Sequence, residues 1–183
     1  MTIVKKSIIG FCSAVVITGM FFNIVSAQNP PMTDAQIRQI KGSCVSAKNT
    51  MAQLHASDAL LRVNRGQMYE SMTTKLMSRF NDRVSSNHLE AKDLITITQN
   101  YNTALSTFRT DYQIYEESLS AALKIDCTKE PVTFYDAVAG VRAKRTQVHV
   151  DVIRLHQYID DYKVTFNTFV ADFFGLVGPI ING

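Results

Sequence analysis

Proline is scarce in this chain and stands only near its ends and at one internal boundary. The sequence has four prolines, none of them between residues 32 and 130, only eight glycines and no tryptophan. A proline inside an α-helix removes a hydrogen bond and clashes with the preceding turn, and glycine weakens a helix by about 1 kcal/mol relative to alanine. The shortage of both residues favours long uninterrupted helices, and no segment is typical of a β-strand.

The sequence also lacks the motifs that place a metal, a cofactor or a reaction centre in a helical protein. A di-iron bundle needs Glu-x-x-His pairs, and none of the four histidines has a glutamate three residues before it. Cysteine metal motifs, a nucleophile elbow and a phosphate-binding loop are absent too. His149, His156 and Asp160 could share a helix face, but zinc needs a further strong ligand, so we interpret them as surface residues. The sequence predicts no enzyme, no cofactor and no metal site.

A concentration of charge of one sign is missing as well. The chain carries 19 Lys and Arg against 16 Asp and Glu, and loss of Lys5 and Lys6 by cleavage would leave 17 against 16. Because the two signs are interleaved, they are typical of a solvated helix surface. Nucleic-acid and acidic-membrane binders need a concentrated basic field, so we predict a protein partner instead.

The first 27 residues have the pattern of an export signal. Lys5 and Lys6 precede an uncharged, largely apolar stretch that ends at Ala27, in the Val-Ser-Ala order that a signal peptidase reads. An uncleaved anchor is the alternative, since about 20 apolar residues can span a bilayer. We predict a signal peptide over 1–27 and a secreted, extracytoplasmic or cell-surface location. Membrane contact is expected only if the segment is not cleaved.

The remaining chain should form one all-α domain over residues 28–174. Apolar residues recur three and four apart over about 33–85, 88–125 and 131–174, which predicts three long helices. Short connections make successive helices antiparallel neighbours. We therefore predict an elongated, antiparallel up-down-up three-helix bundle with coiled-coil-like packing.

Capping residues mark the expected helix starts. Thr33 and Gln36 have the spacing of a capping box, the second helix should start near Asn87, and Pro131 suits a first helical position. Residues 175–183 form an uncharged Gly- and Pro-containing tail. This tail could fold back over the bundle, dock onto a partner or remain disordered.

Two cysteines, Cys44 and Cys127, remain once the segment containing Cys12 is cleaved. An even pair in an oxidising compartment indicates a disulfide, and two separate buried thiols are the alternative. Cys44 lies 42 residues before Ser86, and Cys127 lies 40 residues after Asn87. Antiparallel helices of matched length would bring both sulfurs to one end of the bundle, which favours the disulfide.

The same register predicts that the opposite end is rich in methionine and aromatic residues. Such a cluster is either a binding site or ordinary core, and core is favoured because Met and Phe at helical spacing are common core residues. The stripe of the first helix should include Leu76 on its inward face. The candidate interaction or core residues are Met68, Met72, Phe80, Tyr101, Phe166, Phe169 and Phe173.

Midway along the bundle the apolar stripes are interrupted by charge. Asp58, Arg65 and Arg145 occupy positions where the pattern requires apolar residues. A partly buried polar layer that fixes the register is one interpretation. Arginines that extend their charged ends to solvent are the simpler interpretation, and we favour it.

A family resemblance adds to this interpretation. The early Cys44, the Arg62-x-x-Arg65 pair before Tyr69 and the Asp126-Cys127 segment resemble small exported helical proteins of candidate-phyla bacteria with reduced genomes. The third helix continues the resemblance with Phe134-Tyr135-Asp136, Val141-Arg142, Tyr158-Ile159, Tyr162 and Phe169-Val170. That group has no established activity, so the resemblance implies a secreted two-cysteine helical domain and no catalytic residues. This chain departs from the group in being less charged around Cys127.

Export, a disulfide and the absence of catalytic motifs together predict a non-catalytic structural or interaction protein. It would display a helical rod outside the cytoplasmic membrane. Two alternatives are an extracytoplasmic holdase-type chaperone and a helical subunit of a secretion or pilus assembly. A concentrated apolar patch outside the core would favour the chaperone.

Overall fold

A computed structural model describes residues 31–177 of the chain. The predicted signal peptide and residues 178–183 of the tail lie outside this range. Within it every regular element is helical, so the all-α class is confirmed. The elements are α1 (Asp34–Ser71), a π-helical segment (Met72–Met77), α2 (Ser78–Ser86), α3 (Lys92–Lys124) and α4 (Pro131–Val177). The first three follow one another without a break, and residues 34–86 are called the first arm.

The first arm begins with the capping box that the sequence indicates. The backbone N–H of Gln36 donates to the Thr33 hydroxyl at 3.4 Å, and the Thr33 N–H donates to Gln36 Oε1 at 2.8 Å. These bonds satisfy two of the N–H groups that a helix start leaves without partners. At the other expected boundary, Pro131 is the first residue of α4.

The turn between α2 and α3 is longer than the sequence predicts, because residues near Asn87 end one helix rather than begin the next. His88 has a φ of 56°, in the left-handed region. The Leu89 N–H donates to the carbonyl of Val84 at 3.1 Å, and the His88 N–H donates to that of Ser85 at 3.0 Å. These two bonds form a Schellman motif, which terminates α2 and delays α3 to Lys92.

The core lies along α3, and its apolar stripe is buried at every position of the sequence pattern. Apolar residues three and four apart face one side of an α-helix, and α4 packs along that side with Phe134, Val141, Leu155 and Tyr162 buried. The buried stripe residues of α3 are Leu94, Tyr101, Leu105, Phe108, Tyr112, Tyr115, Leu119 and Ala122.

The first arm meets α3 through a series of polar and aromatic contacts. Asn81 Nδ2 donates to the hydroxyl of Thr98 at 2.8 Å, and the Tyr101 hydroxyl donates to the carbonyl of Tyr69 at 2.9 Å. Along this series the residue numbers rise on the first arm and fall on α3. The first arm and α3 are thus neighbours, and both also contact α4, so three helical segments pack against one another.

A disulfide joins the start of the first arm to the α3–α4 turn. Cys44 and Cys127 are bonded, with their Cα atoms 5.7 Å apart, and both side chains are buried. Close by, Lys48 Nζ donates to the carbonyl of Ile125 at 2.9 Å. The structure thus joins the two cysteines that the sequence pairs.

The π-helical segment affects which side chains of the first arm face the core. Met68 and Leu76 were predicted to face inward but are 43% and 59% exposed, whereas Tyr69, Thr73 and Met77 are buried. The prediction took its phase from apolar residues alone, but the polar residue Thr73 shares the buried face with Tyr69 and Met77. Residues four apart drift by about 40° per step around a regular α-helix, and the wider π turn absorbs that drift.

Among the helices of residues 31–177, none combines the length and the apolar character that crossing a bilayer requires.

Candidate functional site

Phenylalanines from two helices form an apolar groove between the first arm and α4. The Phe80 ring stands edge-on to Phe166, with centroids 4.8 Å apart, and to Phe169, with centroids 5.7 Å apart. Phe169 in turn stacks on Phe173 at 6.4 Å. All four rings remain partly accessible to solvent. We call this surface the aromatic groove.

Two adjoining cavities form the aromatic groove. The larger, of about 480 Å³, lies beside the π-helical segment and includes Met72 and Phe166; the smaller, of about 260 Å³, includes Phe169 and Phe173. Phe80 and Arg83 line both cavities, so the groove is continuous along α4.

The predicted cluster is only partly assembled there. Tyr101 lies apart from the groove, fully buried with its hydroxyl bonded to the carbonyl of Tyr69, and Met68, which is 43% exposed, does not line the groove. The other five members contribute to the groove. Met72, Phe80, Phe166 and Phe169 also pack against the buried core, as the core interpretation predicts, while their exposed parts line the groove. These five residues are Met72, Phe80, Phe166, Phe169 and Phe173.

The rim of the aromatic groove is basic. Lys75, Arg79 and Arg83 stand four residues apart on the first arm, and Lys163 faces them from α4. The larger cavity has no Asp or Glu in its lining, and none of the four cations forms an ion pair within residues 31–177. The four-residue spacing of Lys75, Arg79 and Arg83 is visible in the sequence, but only the structure shows that these residues border an apolar groove.

A buried polar network lies at the middle of the first arm. Asp58 is buried, and its Oδ2 accepts from the Tyr115 hydroxyl at 2.7 Å and from Arg145 Nε at 3.2 Å. Burial, followed by the bond to Asp58, raises the pKa of Tyr115 to about 12. The Asp58 carboxylate is thus paired inside, while Arg65 and Arg145 remain exposed, so the arginines extend to solvent as the favoured interpretation predicts.

A separate cavity of about 180 Å³ lies beside this network, between α1, α3 and α4. Its lining includes Arg62, Arg65 and Arg145, and it includes Tyr112, whose side chain is 5% exposed. The Tyr112 hydroxyl is buried without a hydrogen-bond partner in the described part of the chain. Burial raises the pKa of Tyr112, so the hydroxyl stays protonated and can donate. We call this space the central cavity.

The histidine face of α4 is not assembled into a metal site. His156 Nε2 shares a hydrogen bond with the Tyr69 hydroxyl at 3.0 Å, and His149 lines the central cavity. Across residues 31–177, no group of three or more His, Cys, Asp or Glu side chains is arranged to hold a metal ion.

Comparisons with protein-family models, with curated proteins and with solved structures find no match to this chain. Within residues 31–177, the aromatic groove and the central cavity combine apolar surface with basic side chains.

Proposed function

We propose that this protein is a non-catalytic interaction protein that acts outside the cytoplasmic membrane. In this proposal residues 1–27 are an export signal, and the helices form an antiparallel up-down-up bundle with coiled-coil-like packing. The contacts between the first arm and α3 support the bundle, because residue numbers rise along the first arm while those of their partners fall along α3. The disulfide supports export, since such bonds persist mainly in oxidising compartments.

The aromatic groove is the working surface in this proposal, and its chemistry carries the inference. Its floor is apolar and its rim holds Lys75, Arg79, Arg83 and Lys163 without a carboxylate in the larger cavity. An amphipathic helix places apolar anchors at three- and four-residue spacing on one face. We infer that the partner supplies such a helix, with acidic residues flanking its apolar face.

Complementary charges at the edge of an interface mainly speed association and select the partner, while the apolar centre supplies most of the affinity. The two parts of the groove can therefore be tested separately. Exposed rim residues are the better target, because replacing them leaves the packed phenylalanines in place.

Chemical crosslinking on intact producing cells, followed by mass spectrometry, tests the proposal. The wild-type chain should capture one or two recurrent proteins through lysines near the groove. The double variant Arg79→Glu with Arg83→Glu should lose most of that capture, while Lys75 and Lys163 stay available to the crosslinker. The matched control, Arg38→Glu with Lys41→Glu, changes the net charge equally at exposed sites far along the first arm and should retain it. Equal loss in both variants would contradict a role for the groove.

A holdase-type chaperone is the second candidate, and exposed apolar side chains on the first arm favour it. Leu60, Leu61 and Val63 are all about half or more exposed, and Met68 and Leu76 extend this exposure toward the groove. They alternate with Arg62, Asn64 and Arg65 rather than forming one patch. Crosslinks to many unrelated exported proteins, mainly under stress, would support the chaperone and contradict a dedicated partner.

A further inference from the structure

The central cavity combines an apolar wall with an excess of positive charge. Leu61, Val148 and Val152 contribute aliphatic surface, and Phe108 contributes an aromatic ring. Arg62, Arg65 and Arg145 are the lining cations, and Asp58 is the lining carboxylate. Ligand pockets typically have this composition, with mostly apolar walls and a few polar groups that orient the ligand.

Two of the three arginines already have partners. Arg145 donates to Asp58, and Arg62 Nη1 donates to Glu116 at 3.0 Å while its guanidinium lies 5.5 Å from the centre of the Tyr112 ring. Arg65 forms no ion pair within residues 31–177. Arg65 lies beside the Tyr69 hydroxyl and is thus the lining arginine that has no carboxylate partner among the described residues.

Tyr112 provides the second, independent indication. Burying a hydroxyl without a partner is unfavourable, and nearly all buried polar groups in folded proteins are paired. Tyr112 is only 5% exposed, and its hydroxyl has no hydrogen-bond partner among the described residues. A ligand oxygen in the cavity would accept this hydrogen bond.

We propose that the central cavity binds a small organic carboxylate with an apolar body. Its carboxylate accepts hydrogen bonds from the Arg65 guanidinium and the Tyr112 hydroxyl, and its body packs against Leu61, Val148 and Val152. The cavity has a volume of about 180 Å³, which is roughly ten times the space that one water molecule needs. It therefore suits a ligand of about ten non-hydrogen atoms. This site is distinct from the aromatic groove and does not depend on what binds there.

Binding by the full chain, with its disulfide intact, can be measured by calorimetry and by thermal unfolding. Benzoate and hexanoate are the probes, benzyl alcohol and hexanol are their neutral counterparts, and phosphate is the purely ionic control. The two carboxylates should bind saturably and raise the melting temperature. Equal binding of the alcohols, or binding of phosphate alone, would overturn the proposal, as would the absence of saturable carboxylate binding.

Two variants separate binding from folding. Tyr112→Phe should leave the ligand-free protein as stable as wild type or more stable, because it removes an unpaired buried hydroxyl. It should also weaken carboxylate binding by on the order of tenfold, the effect of losing a hydrogen bond to a charged group. Arg65→Gln should weaken binding at least as much, and Arg142→Gln, an exposed arginine of α4 outside the lining, should not. Unchanged affinity in both Tyr112→Phe and Arg65→Gln would place the ligand elsewhere and reject the site.

Discussion

Helices α1 and α3 are of similar length but are held in different ways. α3 buries ten of its 33 residues, and nearly all of them are apolar or aromatic. α1 buries four of its 38 residues, namely Cys44, Met51, Asp58 and Tyr69. Three of these four act through a disulfide, an ion pair or a hydrogen bond. α3 is therefore held by continuous packing and α1 by separate attachments, so local opening should begin in α1.

Removing the disulfide should show the difference in stability between α1 and α3 most clearly. The bridge closes a loop with a sequence separation of 83, and the chain-entropy model assigns such a loop about 4.5 kcal/mol of stabilisation. We expect Cys44→Ser with Cys127→Ser to lower the free energy of unfolding by about that amount. Hydrogen exchange should show α1 amides losing protection first, with α3 and α4 affected less. Uniform loss along all helices would contradict the difference.

A cavity in the packed region should instead weaken the whole domain. Leu119 is 1% exposed in α3, and truncation of such a leucine typically destabilises by about 2–5 kcal/mol. We expect about 3 kcal/mol for Leu119→Ala in chemical denaturation, with α1 and α3 losing protection together. Leu60→Ala is the control, since that side chain is 69% exposed and should change stability by less than about 0.5 kcal/mol. A large effect at Leu60 would show that α1 is packed after all.

The buried carboxyl of Asp151 in α4 should make the packed region pH-sensitive. Burial, and then the neighbouring Asp111, raise the pKa of Asp151, and one of its oxygens lacks a partner within the described residues. The folded state thus holds this proton more tightly than the unfolded state. Its contribution to stability is greatest at low pH and declines as pH rises through the folded-state pKa. Asp151→Asn should stabilise the protein by about 1 kcal/mol at pH 7 and reduce this decline. Denaturant titrations of both proteins at pH 4 and pH 7 would check it, and identical pH profiles would contradict it.

The smallest expected effect is at the start of α1. Thr33→Ala removes the hydroxyl that accepts from the Gln36 N–H and should lower stability by about 1 kcal/mol or less. Because α1 is held by separate attachments, the lost protection should be confined to its first turns. Thr168→Ala, at an exposed position within α4, is a suitable control. Loss of protection as far as α3 would mean that α1 folds as one unit with the core.

The contrast also explains how much the sequence could predict. Along α3, apolar spacing identified the buried stripe because nearly all of the buried residues there are apolar or aromatic. The matched lengths of two antiparallel helices predicted the pairing of Cys44 with Cys127. Along α1 the apolar residue Met68 misled, since the neighbouring Tyr69 is the residue that turns inward. Burial of a polar residue leaves no hydrophobic period, and its partner on another helix is only known from the structure.

The central cavity was unpredictable for the same reason. Arg65 was recognised as out of place, but the unpaired hydroxyl of Tyr112 sits within a regular aromatic stripe and gives no sign in the sequence. The aromatic groove was partly predicted, because five of its residues follow helical spacing. Its basic rim needed the structure, which places Lys163 opposite the cations of the first arm.

The widened turn at Met72–Met77 also bears on how this protein can change in length. A π turn holds one more residue than an α turn between the same flanking helices. Loss of one residue there can be absorbed by reverting to α-helical hydrogen bonds, with α1 and α2 keeping their orientations. Loss of one residue within α3 would instead rotate everything beyond it by about 100° and turn half of its aromatic stripe to solvent. Among related chains, single-residue gaps should therefore gather beside the aromatic groove, where they would reshape the binding surface while α1 and α2 keep their packing.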